Sequence, residues 1–386
     1  MFQGPFSRLN NLLNVEPSIS NHLLCHLGSP VEEPCIDIKA DLRRNVDLHN
    51  ISKYPSSDGL DDFKSAAFSA LASISGVEHF ESISRDIDVI VTSGTREAIF
   101  NLVVHAKQAN PEKRYAIVPS PCYPGYVGSC NLSGLEVYTI DLIEENGFVP
   151  DLGSVPESVL NDCAVMILTN PGNPFGFYIN SEQQESILNV AQRYGIECIF
   201  DECFIELCIS PTVKVSSAAK LMAQFSNLSI IHSLSKRSSV AGLRSGFICS
   251  NTEKIKGISG IRAFISPTVP NFIQLSSAFL WSDSSHVEAA RSAISRKIQI
   301  ASTMLPDDLV IYPEAGFFIS IRTGDEVGLT RLLYRNGLKA MPLKFLCHKN
   351  GRSIDEELGL VRVGLVYEEE KVPEICQIII KSFCSL

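Results

Sequence analysis

Residues 233–247 read SLSKRSSVAGLRSGF, directly after the apolar run 228–231. Ser233 and Ser235 bring hydroxyls beside Lys236, and Arg244 follows eight residues later. A guanidinium with hydroxyls is a phosphate-binding set. A lysine beside another cation, at the edge of a core, gives up its proton more readily and becomes a nucleophile toward carbonyl groups. Standing alone, such a tract reads as a solvated basic loop. What else the chain brings to the same place decides between the two.

Upstream, strand and helix signals alternate. Residues 88–92 (DVIVT) predict a strand, and Ser93-Gly94-Thr95-Arg96-Glu97 opens a helix with Ile99, Leu102, Val103 and Ala106 at helical spacing. A short Gly turn there leaves free N–H groups at a positive dipole end, either a phosphate cradle or a plain helix cap. Residues 115–118 predict the next strand. It closes on Pro119-Ser120-Pro121-Cys122-Tyr123-Pro124-Gly125-Tyr126, which holds Tyr123 and Tyr126 at a strand end for ring stacking or for core packing. Residues 136–140 predict another short strand. The apolar run 164–169 is followed by Asn170-Pro171-Gly172-Asn173-Pro174-Phe175-Gly176, which fixes the backbone and aims both amides. Ser181 with Gln184 resembles a capping box for a helix that ends at Gly195. Residues 196–200 (IECIF) end in Asp201, a carboxylate that needs a partner in a buried position.

Such alternation predicts a mainly parallel sheet covered on both faces by helices, with ligands bound beyond the carboxyl ends of the strands. Gly94 and Thr95, Tyr123, Asn173, Asp201 and Lys236 all fall at such ends. From about residue 283 the texture changes to a long helical stretch (286–304), an alternating strand (316–321), a helix (326–336) and a strand LGLVRVGLV (358–366). This predicts a smaller α/β domain of residues 283–386, after a large domain of 46–282 and an N-terminal arm of 1–45 that packs with the small one. Arg362 alternates with Val and Leu, so it faces away from them, as a structural ion pair or as a bidentate clamp for a substrate carboxylate.

The 386 residues are 45% hydrophobic and 20% charged, an ordinary globular balance of a size for more than one core. A net charge of -10 argues against a nucleic-acid surface. No apolar run approaches the ~18 residues of a membrane span, and residues 1–13 lack the apolar core of a secretory signal. A cytoplasmic location is therefore expected. The twelve cysteines form no Cys-x-x-Cys pair and fall mostly in apolar runs, as in a reducing compartment. His22, Cys25 and His26 at helical spacing are read as incidental residues of a surface helix in preference to a zinc site.

A phosphate cradle, a nucleophilic lysine, an aromatic plate, an amide and a buried carboxylate together fit pyridoxal 5'-phosphate. On NPGNPFG (170–176), DEC (201–203), SLSK (233–236), LRSGF (243–247) and VRVGLV (361–366), the chain resembles the fold-type I, class I/II pyridoxal-phosphate-dependent aminotransferases over nearly its whole length. The resemblance implies that Lys236 carries the cofactor, Asp201 pairs with the ring nitrogen, Asn173 with the ring hydroxyl, and Tyr123 stacks on the ring. It implies a phosphate site of Gly94, Thr95, Arg96, Ser233 and Arg244, and Arg362 for the substrate alpha-carboxylate, with Asn173 also at the substrate. Tyr54 looks like the tyrosine that reaches the neighbouring subunit's phosphate, which implies a homodimer with shared active sites. SGTREAIF (93–100), SLSKRSSVAGLRSGF and the opening GPFSRLNNLL are most similar to N-succinyldiaminopimelate aminotransferases, with 2-oxoglutarate as the co-substrate.

Three positions depart from that pattern. Phe204 stands where a tyrosine usually bonds the ring hydroxyl, Phe175 replaces the threonine of NPTG, and 36–45 lacks a glycine-containing stretch. The competing readings are an aminotransferase of another specificity (aspartate, alanine, aromatic or acetylornithine), a C–S lyase or decarboxylase on the same scaffold, and a non-catalytic cofactor-binding regulator. For a distal acidic group on the substrate, the candidate cations are Arg43, Arg44 and Arg96.

Overall fold

The computed structural model describes residues 4–17, 21–30, 36–47, 51–77, 86–265, 269–349, 352–353 and 358–386. Seven strands form the main sheet: β1 (Ile87–Thr92), β2 (Tyr115–Ser120), β3 (Glu136–Asp141), β4 (Cys163–Thr169), β5 (Glu197–Asp201), β6 (Leu228–Ser233) and β7 (Gly246–Asn251). Their order is β1-β7-β6-β5-β4-β2-β3. Neighbours from β6 to β3 pair in parallel, and β7 runs antiparallel between β1 and β6. Sequence reading did not anticipate β7, because GFICSN carries no turn signal that separates it from the preceding loop.

Period-two alternation sorts the two faces. Met166, Leu168, Cys198, Phe200 and Ile230 pack with Phe63, Ala67 and Leu71 of the helix Asp61–Ser75 and with Leu280 and Trp281 of the helix Asn271–Ser282. Val165, Ile167, Ile199 and Ile231 face the other way, against Ile99, Leu102 and Val103 of the helix Thr95–Ala109 and Tyr126 of the helix Pro124–Leu132. Every residue of β4 and β6 is buried, as strands covered on both faces require.

A second sheet of four antiparallel strands has the order Met341–Pro342, Leu360–Gly364, Phe318–Arg322, Val310–Ile311. Val361 and Val363 enter a core with Leu329, Leu333, Ile375 and Ile379, from the helices Glu326–Arg335 and Val372–Phe383. The helix Pro5–Leu13 buries Leu9 and Leu13 beside Met341 and Leu343.

Two local expectations are corrected. The capping box at the helix Ser181–Arg193 is made by Asn180 and Gln183, one position ahead of Ser181 and Gln184, because Asn180 has the extended backbone a cap requires. Gln184 instead turns inward and donates to the carbonyls of Ile179 and Ser216. His22, Cys25 and His26 lie on no helix: Leu23 bridges in parallel to Leu338, His22 stacks on Tyr334, and Cys25 is buried in the small-sheet core. Residues 39–45 form the short helix Lys39–Asn45.

Candidate active site

The carboxyl ends of β4, β5 and β6 open into a cavity of about 360 Å³ roofed by the small sheet. Thr95, Arg96, Tyr123, Asn173, Asp201, Phe204, Ser233, Lys236, Arg244 and Arg362 all line it. Gly94 lies just behind them. Tyr54 does not join the group and is 98% exposed.

Lys236 belongs to the single turn Leu234–Arg237, whose first amides are capped by Ser233: its Oγ accepts from the amide of Ser235 at 3.1 Å. The Lys236 ammonium donates to the carbonyl of Gly28. Burial, helped by the positive charges of Arg362 and Arg244, lowers its pKa to about 8, against the opposing pull of Cys203 and Asp201. The neutral amine is thus accessible near physiological pH.

Arg244 has a left-handed backbone (φ 54°), a conformation that costs a non-glycine residue. Its guanidinium donates to the carbonyls of Ala241 and Ser93, both at 2.9 Å. Gly94, with φ 80°, leaves room for it: a Cβ there would lie 2.6 Å from Arg244 Nη2. Gly94 also caps the helix Thr95–Ala109, so first-turn amides with no acceptor in their own helix meet a fixed guanidinium at one spot. Arg96 Nε donates to the Tyr123 hydroxyl at 3.0 Å.

Asp201 closes β5 and is 5% exposed. The Tyr126 hydroxyl donates to Oδ2 at 2.8 Å and lies 2.8 Å from Thr169 Oγ1, while the Cys203 amide donates to Oδ1 at 3.1 Å. Burial pushes the Asp201 pKa up, against the pull of these donors and of His232. A buried carboxylate with neutral donors only is an anion short of a cation. A protonated ring nitrogen would supply it, so the residues fit the pyridinium of the cofactor. Glu202 points elsewhere, to Ser217 Oγ (2.6 Å), the Ala218 amide (2.7 Å) and His232 Nε2 (3.4 Å).

Arg362 comes from the small sheet and is 5% exposed. Nη1 donates to Asn173 Oδ1 at 3.4 Å, Nη2 to the His26 carbonyl at 3.0 Å, and the guanidinium lies 4.1 Å from the centre of the Phe318 ring. Nε has no partner among the described residues. Burial lowers the Arg362 pKa to about 10, so it stays cationic. Phe204 packs at 5.7 Å from Phe317 and 6.2 Å from Phe318, an apolar wall with no hydroxyl.

Sequence reading missed Gly28, His26, Thr169, Cys203 and Phe318, and left Tyr126 open between ring stacking and core packing; it packs in the core, with its hydroxyl on Asp201. Only Tyr126 carried a signal: three residues after Tyr123 on a helix start, it had to face inward one turn deeper, where its hydroxyl meets β5.

Sheet order, strand-end cavity, a half-buried Lys236 and the buried Asp201 and Arg362 together are those of a pyridoxal-phosphate transferase. Residues 26–377 match the family described as aminotransferase class I and II, and the chain belongs to that family, whose members depend on pyridoxal phosphate. It is 28% identical over 253 residues to LL-diaminopimelate aminotransferase 2 of a Nostoc species, an alignment that takes in 64% of this chain and 62% of that protein's length. An aspartate aminotransferase of Pyrococcus horikoshii is 23% identical over 292 residues, 75% of this chain and 69% of the relative. Among solved structures, aminotransferase AspB of Helicobacter pylori superposes with a TM-score of 0.86 at 26% identity, over 99% of both chains. An aminotransferase of Neisseria meningitidis does so with 0.87 at 25%, over 99% of this chain and 98% of that one.

Proposed function

We propose that this protein is a pyridoxal-phosphate-dependent aminotransferase that moves an amino group between an amino acid and a 2-oxo acid by a ping-pong mechanism. The observation that carries the reading is the convergence of Lys236, Asp201 and Arg362 on one cavity. Bound there, the cofactor supplies an aldehyde that condenses with amines and a ring that draws electrons from the substrate's alpha carbon. Lys236 Nζ would hold the cofactor, and as a free amine it would take and return the proton at that carbon. Asp201 would keep the proton on the ring nitrogen. Asn173 would bond the ring hydroxyl, Tyr123 would stack on the ring, Phe204 would border its edge, and Ser233, Arg244, Gly94, Thr95 and Arg96 would hold the phosphate. Arg362 would clamp the alpha-carboxylate, since it lines the cavity and its Nε has no partner among the described residues.

For the substrate we propose a long amino acid with an acidic far end, N-succinyl-L,L-diaminopimelate with 2-oxoglutarate, in the lysine and diaminopimelate route. Two observations support this: relatives are named for LL-diaminopimelate, and Arg96 lies in the cavity as a further cation. Arg43 and Arg44, the other candidate cations, are exposed and do not line it. Free LL-diaminopimelate is the second reading, on the strength of those relatives' names. Single-turnover conversion to the pyridoxamine form, followed by absorbance, separates the two. The succinylated substrate and glutamate should react well, and free LL-diaminopimelate, alanine and phenylalanine poorly; a faster reaction of free LL-diaminopimelate than of its succinyl form would select the second reading. Faster reaction of alanine or phenylalanine would leave only the general aminotransferase reading.

A cytoplasmic homodimer is part of the proposal: Tyr54, exposed on a single chain, would reach the phosphate in the partner subunit's site. So is the division into an arm (1–45), a large domain (46–282) and a small domain (283–386), since the main sheet lies within 87–251 and the four-stranded sheet within 310–364. Among the described residues, no helix is long and apolar enough to cross a membrane.

A further inference from the structure

The molecule has a second, larger cavity that, among the described residues, shares no lining residue with the one around Lys236. It is a cleft of about 950 Å³ between the turn after β3 and the ends of the helices Ser285–Met304 and Val372–Phe383. Leu142, Phe148, Phe175, Leu360, Ile380 and Phe383 give it apolar walls. Phe175 stacks on Phe148 at 4.0 Å to form one part of this wall. Four of the large hydrophobic side chains left exposed, Ile143 (47%), Leu358 (41%), Ile380 (38%) and Phe383 (38%), border it. Apolar surface gathered in a concavity of this size is how small-molecule sites are built.

The electrostatics of the cleft favour one sign. Its lining cation, Arg322, is occupied: Nη1 and Nη2 donate to Glu144 Oε2 and Oε1 at 2.8 and 2.6 Å. Glu145 and Asp308 also line it, both exposed and without an ion pair among the described residues. Met304 and Phe383, the last residues of two helices, add two negative dipole ends. Lys381, in the last turn of the second helix, does not line the cleft.

We infer that this cleft binds an amphipathic organic cation, an aliphatic or aromatic body with an ammonium head at the Glu145–Asp308 rim. The test uses holoenzyme and octyltrimethylammonium, which has no N–H to react with the cofactor's aldehyde. Sodium octanoate is the counter-probe. The readout is the rate of maleimide labelling of Cys384, which lines the cleft and is the exposed cysteine among the described residues. Octyltrimethylammonium should slow labelling saturably. Octanoate should bind about tenfold more weakly, as several exposed charge contacts would give. Glu145→Lys with Asp308→Lys should invert that preference. Gly324→Trp, at a lining position with nothing within 4 Å of a new Cβ, should plug the cleft and abolish protection while transamination is unchanged. No protection at millimolar cation, equal protection by octanoate, or protection that survives Gly324→Trp would overturn the inference.

Discussion

Asp201 and Arg362 are both buried charges aimed at one cavity, but they are held in opposite ways. Asp201 ends a parallel strand and has both oxygens bonded, by Tyr126 and by the Cys203 amide. Arg362 reaches in from the small sheet, keeps one long bond to Asn173 and one to a carbonyl, and leaves Nε without a partner among the described residues. A group held for a resident ligand is fixed before the ligand arrives, whereas a group that takes a passing carboxylate keeps donors in reserve. On the proposed reading, the main sheet is the cofactor half of the site and the small sheet the substrate half.

The largest expected effect sharpens that division. Asp201→Ala, with Asp201→Asn as the isosteric control, should lower kcat by about a thousandfold, the size of losing one buried electrostatic partner of the reacting centre. Near-normal turnover in either variant would break the comparison. Arg362→Lys keeps the charge but loses the planar fork. It should cost about 2 kcal/mol in kcat/KM for the amino acid, mostly through KM, with the cofactor spectrum unchanged. A changed spectrum would mean that Arg362 belongs to the cofactor half.

The acid-base state of Lys236 is the next test. Its pKa lies near 8 in the folded chain, below the ordinary 10.5 of lysine, so the ammonium dominates below that pH and the amine above it. Capture of pyridoxal phosphate by apoenzyme, followed by visible absorbance, should slow about tenfold per unit as pH falls below 8 and level off above it. A flat profile between pH 6 and 9 would contradict the burial argument.

Much of the cofactor half was legible in the sequence because its signals are local. An apolar run followed by a polar strand end needs only a few consecutive residues, and Asn173, Asp201 and Lys236 each sit at such an end. What sequence reading missed comes from distant pairings. The Gly28 carbonyl meets Lys236 across 208 positions, and the His26 carbonyl meets Arg362 across 336. The antiparallel β7 is defined by its register with β1 and β6, which no local pattern announces. The cap at Asn180 was displaced by one residue because the choice rests on backbone angle, not on residue type.

The smallest effect concerns Phe204. A phenol there would donate to the ring hydroxyl's anion, and phenylalanine offers only an apolar wall with Phe317 and Phe318. Phe204→Tyr should shift the visible titration of the holoenzyme toward lower pH, because a donor stabilises the deprotonated form. An unchanged titration would place residue 204 away from the ring edge.

The central claim is that Lys236 holds the cofactor, and covalent trapping tests it most directly. Holoenzyme reduced with borohydride, digested and mapped by mass should carry the pyridoxyl group on the peptide containing Lys236, and Lys236→Ala should carry none. Modification of any other lysine, or an unmodified Lys236 in a yellow protein, would contradict the account.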